Sequence, residues 1–235
     1  MDAAADSAAL VHRLARALGA QLIETHISWV FLLPQLAYKL KKPVRLPFLD
    51  YSTLERRRAF CEEEVRLNRR LAPSLYLGVS RVTGSPQAPS LDGDGPVLEY
   101  AVRMRRFPEG CLFSDRAAAG TLAAPDVDRL ARLLGDFHAA APADREAEGT
   151  VPLSQRALAA LQGCAELIPG GQRDRLAAWI AQEDAVVDPL WRSRRAAGHA
   201  REGHGDLHLA NIVALDDEVA AFDCIEFDPR LRCID

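Results

Sequence analysis

The chain has 235 residues, of which 49% are hydrophobic and 26% charged, and a formal net charge of −4 at pH 7. This length can bury a substantial core, either as one two-lobed domain or as two small domains. The acidic balance argues against a nucleic-acid protein, because no basic stripe is interleaved with aromatic residues and the clustered arginines have acidic neighbours.

The cysteines and the apolar segments bear on the compartment. The five cysteines are scattered and lack metal-finger spacing, which favours free thiols in a reducing compartment, so we expect a cytoplasmic protein. No signal-peptide pattern opens the chain, and no apolar run approaches the ~20 residues of a membrane span. We therefore expect neither a nucleic-acid partner nor a membrane partner.

The N-terminal part alternates between helical and strand patterns. Residues 1–20 are rich in alanine with leucines on one face, and they predict a short amphipathic helix that packs on the first lobe. Two β-favouring runs, residues 29–33 and 35–41, flank a proline. A capping box at residues 52–55 predicts a helix that runs to about Leu71.

The middle of the chain predicts the end of a sheet and the start of a helical region. Residues 76–82 and 96–107 predict strands, separated by the turn-rich residues 84–95. The pattern changes near Pro108, so residues 1–107 would form an N-terminal lobe and residues 108–235 a C-terminal lobe. Three helices are expected in the second lobe, at residues 125–140, 152–167 and 172–197.

The most specific feature is a polar loop near the C-terminus. Asp206 lies in His204-Gly205-Asp206-Leu207-His208, and Asn211 and then Asp223 follow it. An Asp that accepts a hydroxyl proton, an Asn that binds Mg²⁺ and a second metal-binding Asp are the polar groups that a kinase-type site requires. A hairpin is predicted to deliver Asp223 beside this loop, made of residues 212–215, the turn Asp216-Asp217 and residues 218–224.

The same loop admits two other interpretations. His204, Asp206 and His208 form a His-x-Asp-x-His pattern that would suit Zn²⁺ or iron in a metal-dependent hydrolase, or the segment is an ordinary polar loop. A pattern of three residues arises by chance in many loops. Asn211 and Asp223 at kinase-like distances favour phosphotransfer.

A kinase-type site also requires a strand lysine and a helix glutamate. Residues 37–41 predict a phosphate-binding strand with Lys39 in the Val-Ala-Ile-Lys position, and Lys41 on the same face is the reserve candidate. The predicted helix contains residues 62–64, all glutamate, and we favour Glu64 as the partner of Lys39. The alternative is a solvated acidic segment balanced by nearby arginines.

The chain resembles the aminoglycoside phosphotransferase and choline kinase family. It is most similar to the bacterial aminoglycoside phosphotransferase-like subgroup, which is often fused to an ATP-binding domain. The resemblance spans nearly the whole chain and rests on the blocks Thr25-His26-Ile27-Ser28-Trp29-Val30-Phe31, Tyr38-Lys39-Leu40-Lys41-Lys42-Pro43-Val44, residues 60–64 to 77–79, Tyr100-Ala101-Val102-Arg103-Met104 and residues 204–235.

The resemblance implies an α+β, two-lobed protein-kinase-like fold with a small β-rich N-terminal lobe and a mainly helical C-terminal lobe. ATP and Mg²⁺ would bind in the cleft. The roles it implies are Asp206 as catalytic base, Asn211 and Asp223 as Mg²⁺ ligands, Lys39 and Glu64 as the ATP-positioning ion pair, the backbone from Met104 to Arg106 as the adenine-binding hinge, and Glu226 as a further metal or water contact.

Two departures from the family pattern qualify these roles. Residues 24–29 contain no glycine, so we expect Ser28 and neighbouring amides to cradle the phosphates in place of a glycine-rich loop. The chain stops at Asp235, where related enzymes continue into further helices, so we expect an incomplete C-terminal lobe that lacks part of the acceptor pocket.

The expected reaction is transfer of the ATP γ-phosphate to a hydroxyl of a small molecule. A phosphorylation-switched protein kinase is disfavoured, because His-Gly-Asp replaces His-Arg-Asp and no Ala-Pro-Glu segment follows Asp223. An aminoglycoside acceptor does not follow from the sequence. The alternative to an enzyme is a non-catalytic nucleotide-binding or regulatory module, with a fused or partner ATP-binding domain in the natural protein.

Overall fold

A six-stranded antiparallel sheet dominates the first part of the chain in a computed structural model. The structure describes residues 3–46, 48–144, 153–215 and 218–235. The contacts divide the chain into two compact units, of which the first comprises Met1–Ala140 with His204–Pro229 and the second Ala141–Gly203 with Arg230–Asp235.

The first part of the chain contains two helices and eight strands in the order α1 (Ala3–Leu18), β1 (Gln21–Glu24), β2 (Ser28–Leu32), β3 (Leu36–Lys41), β4 (Arg45–Leu46), β5 (Leu49–Asp50), α2 (Leu54–Asn68), β6 (Tyr76–Ser85), β7 (Ala88–Leu91) and β8 (Val97–Arg105) among the described residues. The sheet of the first unit has the strand order β1-β2-β3-β8-β6-β7. Strand β3 pairs antiparallel with β2 and β8, and Lys39 lies opposite Val30 on one side and Val102 on the other.

The two faces of β3 differ in chemistry because side chains alternate along a strand. Tyr38 and Leu40 belong to an apolar cluster that also contains Val11 and Leu14 of α1. Lys39 and Lys41 therefore point to the opposite face. The packing of α1 fixes which side of the sheet carries the two lysines.

Helix α2 begins and ends within three residues of the predicted limits. Its N-cap is Thr53, whose hydroxyl accepts a hydrogen bond from the Arg56 N–H, whereas the sequence predicted Ser52. Ser52 instead donates through its N–H and hydroxyl to Asp50. The helix stops at Asn68, not near Leu71, because the Asn68 carbonyl accepts the N–H groups of residues 71 and 72 in a tight turn.

A hairpin follows the polar loop, as predicted. Strand β10 (Ile212–Leu215) pairs with β11 (Glu218–Ala221), and the predicted turn, Asp216-Asp217, lies outside the described residues. Val213 and Ala220 of this hairpin share an apolar cluster with Cys61 and Val65 of α2. The hairpin thereby lies against the helix that carries Glu64.

The α+β class is confirmed, since strands dominate residues 21–105 and helices residues 113–196. In the second unit, α5 packs on α6, and β9 pairs with β12. A short strand, β7, was not predicted, because turn-forming residues surround it, and the lobe boundary after residue 107 stays a prediction. The remaining elements are α3 (Phe113–Ala118), α4 (Ala124–Ala140), α5 (Leu153–Gly163), α6 (Gly170–Ala196), β9 (Arg201–Glu202), a 3₁₀ turn (Leu209–Asn211), α7 (Pro229–Arg232) and β12 (Cys233–Ile234).

Helix length and hydropathy bear on membrane insertion. Among the helices in the described ranges, none combines the length and the apolar character needed to cross a bilayer.

Candidate active site

Lys39 lies between two carboxylates that come from distant parts of the sequence. Its Nζ is 3.0 Å from Glu64 Oε1 and 2.5 Å from Asp223 Oδ1. Burial disfavours the charged form of Lys39, but Asp223 and Glu64 hold its pKa well above the ordinary value. Strand β3, helix α2 and the segment after β11 therefore meet at one ammonium group.

The helical phase selects Glu64 from the three consecutive glutamates. The buried face of α2 contains Cys61, Val65 and Asn68, and Glu64 lies on that face because these positions are three or four residues apart. Glu62 pairs with Arg58 and Glu63 with Arg66 on the more exposed side.

Lys41 is the centre of a second, fully buried cluster that the sequence did not predict. Its Nζ is 2.7 Å from Glu64 Oε2 and forms an ion pair with Glu226. The Tyr51 hydroxyl donates a hydrogen bond to the same Glu226 oxygen. Each oxygen of Glu64 thus binds a different lysine, and Glu226, predicted as a metal or water contact, has Lys41 as an ionic partner.

The polar loop holds Asp206 by its backbone. The Asp206 N–H donates to His204 Nδ1 at 3.3 Å, and the Asp206 carbonyl accepts from Asn211 Nδ2 at 3.0 Å. The Asp206 side chain is 58% exposed, and its Oδ2 lies 3.7 Å from His208 Nε2, which accepts a hydrogen bond from Asn211 Nδ2. The backbone is fixed while the carboxylate stays accessible.

The His204 ring is held by hydrogen bonds to the backbone. Its Nε2 lies 2.9 Å from the Phe222 carbonyl, so this nitrogen carries the proton and Nδ1 accepts. Burial lowers the pKa of His204 below its ordinary value. Both ring nitrogens are used by backbone groups.

These contacts bear on the hydrolase interpretation. A neutral His204 with two backbone partners has no nitrogen left for a metal ion. Within the described ranges, no group of three or more His, Cys, Asp or Glu side chains has an arrangement that could hold a metal. The geometry does not bring His204, Asp206 and His208 together as ligands.

Asp223 lies in an uncommon backbone conformation that two neighbours hold in place. Its φ is 63°, in the left-handed region that Asp tolerates better than most residues. The Asp223 N–H donates to the Tyr76 hydroxyl at 3.2 Å, and the Cys224 N–H donates to Asn68 Oδ1 at 2.9 Å. Tyr76 and Asn68 were not predicted, because nothing in their local sequence signals contacts more than 140 residues away.

A cavity of about 1260 Å³ joins most of the predicted site residues. Its lining includes Ser28, Lys39, Met104, Asp206 and Asp223. Glu64 and Asn211 are buried and are not among the lining residues.

Ser28 reaches the cavity from a hairpin that needs no glycine. The Thr25 hydroxyl accepts from the Ser28 N–H at 3.0 Å and donates to the Ser28 carbonyl at 3.1 Å, which closes the turn between β1 and β2. The Ser28 side chain is buried, yet its Oγ has no hydrogen-bond partner among the described residues. A buried hydroxyl without a partner calls for a physical explanation, and a group bound in the adjoining cavity is one that would supply the missing partner.

The predicted hinge is the end of strand β8. Met104 lies opposite Ala37 on one side and Tyr76 on the other. The N–H groups of residues 105 and 106 donate to the carbonyls of residues 75 and 35. In the described part of the chain, the Phe107 N–H makes no hydrogen bond, so a free backbone donor lies just beyond the predicted hinge, whose adenine-binding role stays a prediction.

Comparison with known proteins gives relatives of unknown activity. No family model matches this chain. The uncharacterized proteins Rv2004c of Mycobacterium tuberculosis (strain H37Rv) and Mb2027c of Mycobacterium bovis are each 32% identical to it over 219 residues, which is 90% of this chain and 42% of theirs. The chain thus spans less than half the length of these curated relatives.

A solved structure shows a weaker likeness. The GDP and kanamycin complex of the aminoglycoside phosphotransferase APH(2'')-IIIa matches with a TM-score of 0.46 and 14% identity, covering 92% of this chain and 68% of that one. A likeness at this level defines neither a family nor a ligand for this chain.

Proposed function

We propose that this chain is an ATP-dependent phosphotransferase with a protein-kinase-like, two-lobed fold, which moves the γ-phosphate to a hydroxyl of a small molecule. The observation that carries the proposal is the position of Lys39 between Glu64 and Asp223, in a cavity that Asp206 also lines. These four residues come from four separate segments, and phosphoryl transfer depends mainly on such convergence of charged groups.

The nucleotide would lie along the β1–β2 hairpin and the end of β8. Lys39 supplies a positive charge for the phosphates, and the Ser28 hydroxyl supplies a hydrogen bond that no described group satisfies. Met104 would lie against the base, and the Phe107 N–H would donate to it. A glycine-rich loop is then unnecessary, because a side chain replaces one of its backbone donors.

The residues for Mg²⁺ fit that ion chemically. Asn211 Nδ2 donates its two hydrogen bonds within the loop, to the Asp206 carbonyl and to His208 Nε2. The side-chain carbonyl oxygen of Asn211 is then left for a metal. Asp223 adds a carboxylate that is 45% exposed toward the cavity. One carbonyl and one carboxylate oxygen are ligands that Mg²⁺ accepts together with phosphate oxygens, and when bound the ion neutralises charge that develops on the transferring group.

Asp206 would act as the general base. Its carboxylate faces the cavity and its backbone is clamped by His204 and Asn211, so it can accept a hydroxyl proton from an acceptor without local rearrangement. The acceptor would be a small molecule. We extend the proposal to the longer relatives, which would have the same phosphotransferase activity. The natural protein would also have a fused or partner ATP-binding domain.

Turnover with a matched pair of carboxylate variants tests the assignment. We expect Asp206→Asn to lower phosphoryl transfer by about 10²–10⁴-fold across a panel of hydroxyl acceptors, with Mg·ATP binding retained. Asp128→Asn, an exposed carboxylate on α4, should leave turnover unchanged. Full activity of Asp206→Asn would remove Asp206 as the base, and binding without any turnover by the wild type would favour a non-catalytic module.

A further inference from the structure

Lys41 is buried more deeply than a lysine usually is and contacts three separate segments. Its side chain is 1% exposed, against 14% for Lys39 two positions earlier on the same strand face. Its contacts are Glu64 on α2, Glu226 beyond Asp223, and the Tyr51 hydroxyl at 3.5 Å. Lys41 does not line the cavity, so it has no direct access to a ligand there.

The charges around Lys41 make it necessary for the arrangement of its neighbours. Lys39 and Lys41 lie among the carboxylates of Glu64, Glu226 and Asp223, so these five groups carry one negative charge in excess. Burial disfavours the charged form of Lys41, but Glu226 and Glu64 hold its pKa well above the ordinary value. Without Lys41, Glu64 and Glu226 would each lose an ammonium partner inside the protein, and their carboxylates would repel each other more strongly.

A second link joins the same two segments. Asn68, one helical turn after Glu64, donates to the Glu64 carbonyl at 2.8 Å and accepts from the Cys224 N–H at 2.9 Å. Helix α2 and the segment that carries Asp223 are thus tied at the backbone by Asn68 and at the side chains by Lys41. The Lys41 tie is the one that directly involves the carboxylate bound to Lys39.

We propose that Lys41 is a positioning residue of the nucleotide site, which holds Glu64 and Glu226 so that Lys39 and Asp223 are preorganised for phosphates. The role in nucleotide binding rests on the proposed function, whereas the contacts of Lys41 with Glu64 and Glu226 do not depend on any nucleotide. The two lysines would have different roles, since Lys39 would contact the ligand and Lys41 would hold Glu64, the ion-pair partner of Lys39.

Hydrogen exchange on the protein alone tests the link. We expect Lys41→Met to exchange backbone amides about tenfold faster in residues 61–68 and 222–226 together, with little change in α4. Lys42→Met is the matched control, because Lys42 is the next residue after Lys41 and forms its ion pair with the exposed Glu24. A uniform rise along the chain, or no rise in both segments, would overturn the proposal.

Nucleotide affinity separates positioning from stability. Lys41→Met should weaken Mg·ATP binding about 10–100-fold, as loss of a supporting residue behind a ligand does. The double variant Lys41→Met/Glu226→Gln also removes the carboxylate that loses Lys41, so we expect its melting temperature to recover toward the wild type while its affinity stays low. Glu226→Gln alone is the control for affinity, because Glu226 also lines the cavity. Recovery of both would show that Lys41 contributes only stability.

Two further outcomes have defined meanings. If Lys41→Met does not fold, the double variant and Glu226→Gln carry both measurements, and normal exchange with normal affinity in them overturns the proposal. If the wild type binds no Mg·ATP, the proposed function fails, and the exchange rates in residues 61–68 and 222–226 still decide whether Lys41 links the two segments.

Discussion

Replacing Glu64 by Gln removes the carboxylate that both lysines of strand β3 share, with little change in shape. Glu64 is fully buried, and its two oxygens lie 3.0 Å from Lys39 Nζ and 2.7 Å from Lys41 Nζ. Removing one partner of a buried ion pair costs about 3–5 kcal/mol. Because Lys39 keeps Asp223 and Lys41 keeps Glu226, we expect the lower end, about 3 kcal/mol.

Urea unfolding and thermal melting measure this loss. A decrease of about 3 kcal/mol should lower the melting temperature by roughly 6–12 °C for a chain of this length, since each kcal/mol corresponds to about 2–4 °C. Glu62→Gln is the matched control on the same helix, because its partner Arg58 lies 2.8 Å away on the exposed side. That surface pair should contribute far less to stability, because solvent screens it. Equal losses for the two variants would refute the buried double ion pair.

Two further predictions concern Ser28 and His204. Ser28→Ala should weaken Mg·ATP binding by roughly tenfold or more, because a hydrogen bond to a charged group is worth about 1.5–3 kcal/mol, while the free energy of unfolding of the ligand-free protein does not fall. Ser80→Ala, which also removes a buried hydroxyl without a partner but lies off the cavity wall, is the control, and equal affinities for the two variants would contradict the role. The pKa of His204 is lowered in the folded state, so its contribution to stability is complete above the unfolded pKa of about 6.5 and is lost as the pH falls through the folded value. The difference in unfolding free energy between wild type and His204→Gln should therefore shrink from pH 7.5 to pH 5 in metal-free buffer, and a difference independent of pH would sink the assignment.

Local patterns in the sequence were sufficient for the elements that carry the site. Alternation along residues 35–41 put Lys39 and Lys41 on one face, and apolar runs on either side of the predicted turn at Asp216-Asp217 predicted the β10–β11 hairpin. The motif spacing around Asp206 depends on only a few neighbouring residues, so it was readable without the fold. The sequence ranked Lys39 ahead of Lys41, but it could not show that Lys41 is the more deeply buried of the two, because burial is decided by what packs over a strand and not by the strand itself.

The contacts made across long sequence separations were not predictable from one sequence. Tyr51 meets Glu226, and Asn68 meets Cys224, only after the sheet, α2 and the C-terminal hairpin have come together. Strand β7 was not predicted because its own residues are common in turns, and it forms a strand only by pairing with β6.

Calorimetric binding of ATP, with and without Mg²⁺, to the wild type and to Asp223→Ala tests the proposed phosphotransferase site without knowledge of the acceptor. We expect Mg²⁺-dependent binding by the wild type, and a marked loss of both affinity and Mg²⁺ dependence when the Asp223 carboxylate is removed. Asp128→Ala, an exposed carboxylate on α4, should bind as the wild type does. Absence of binding by the wild type, or unchanged Mg²⁺-dependent binding by Asp223→Ala, would contradict the proposed phosphotransferase site.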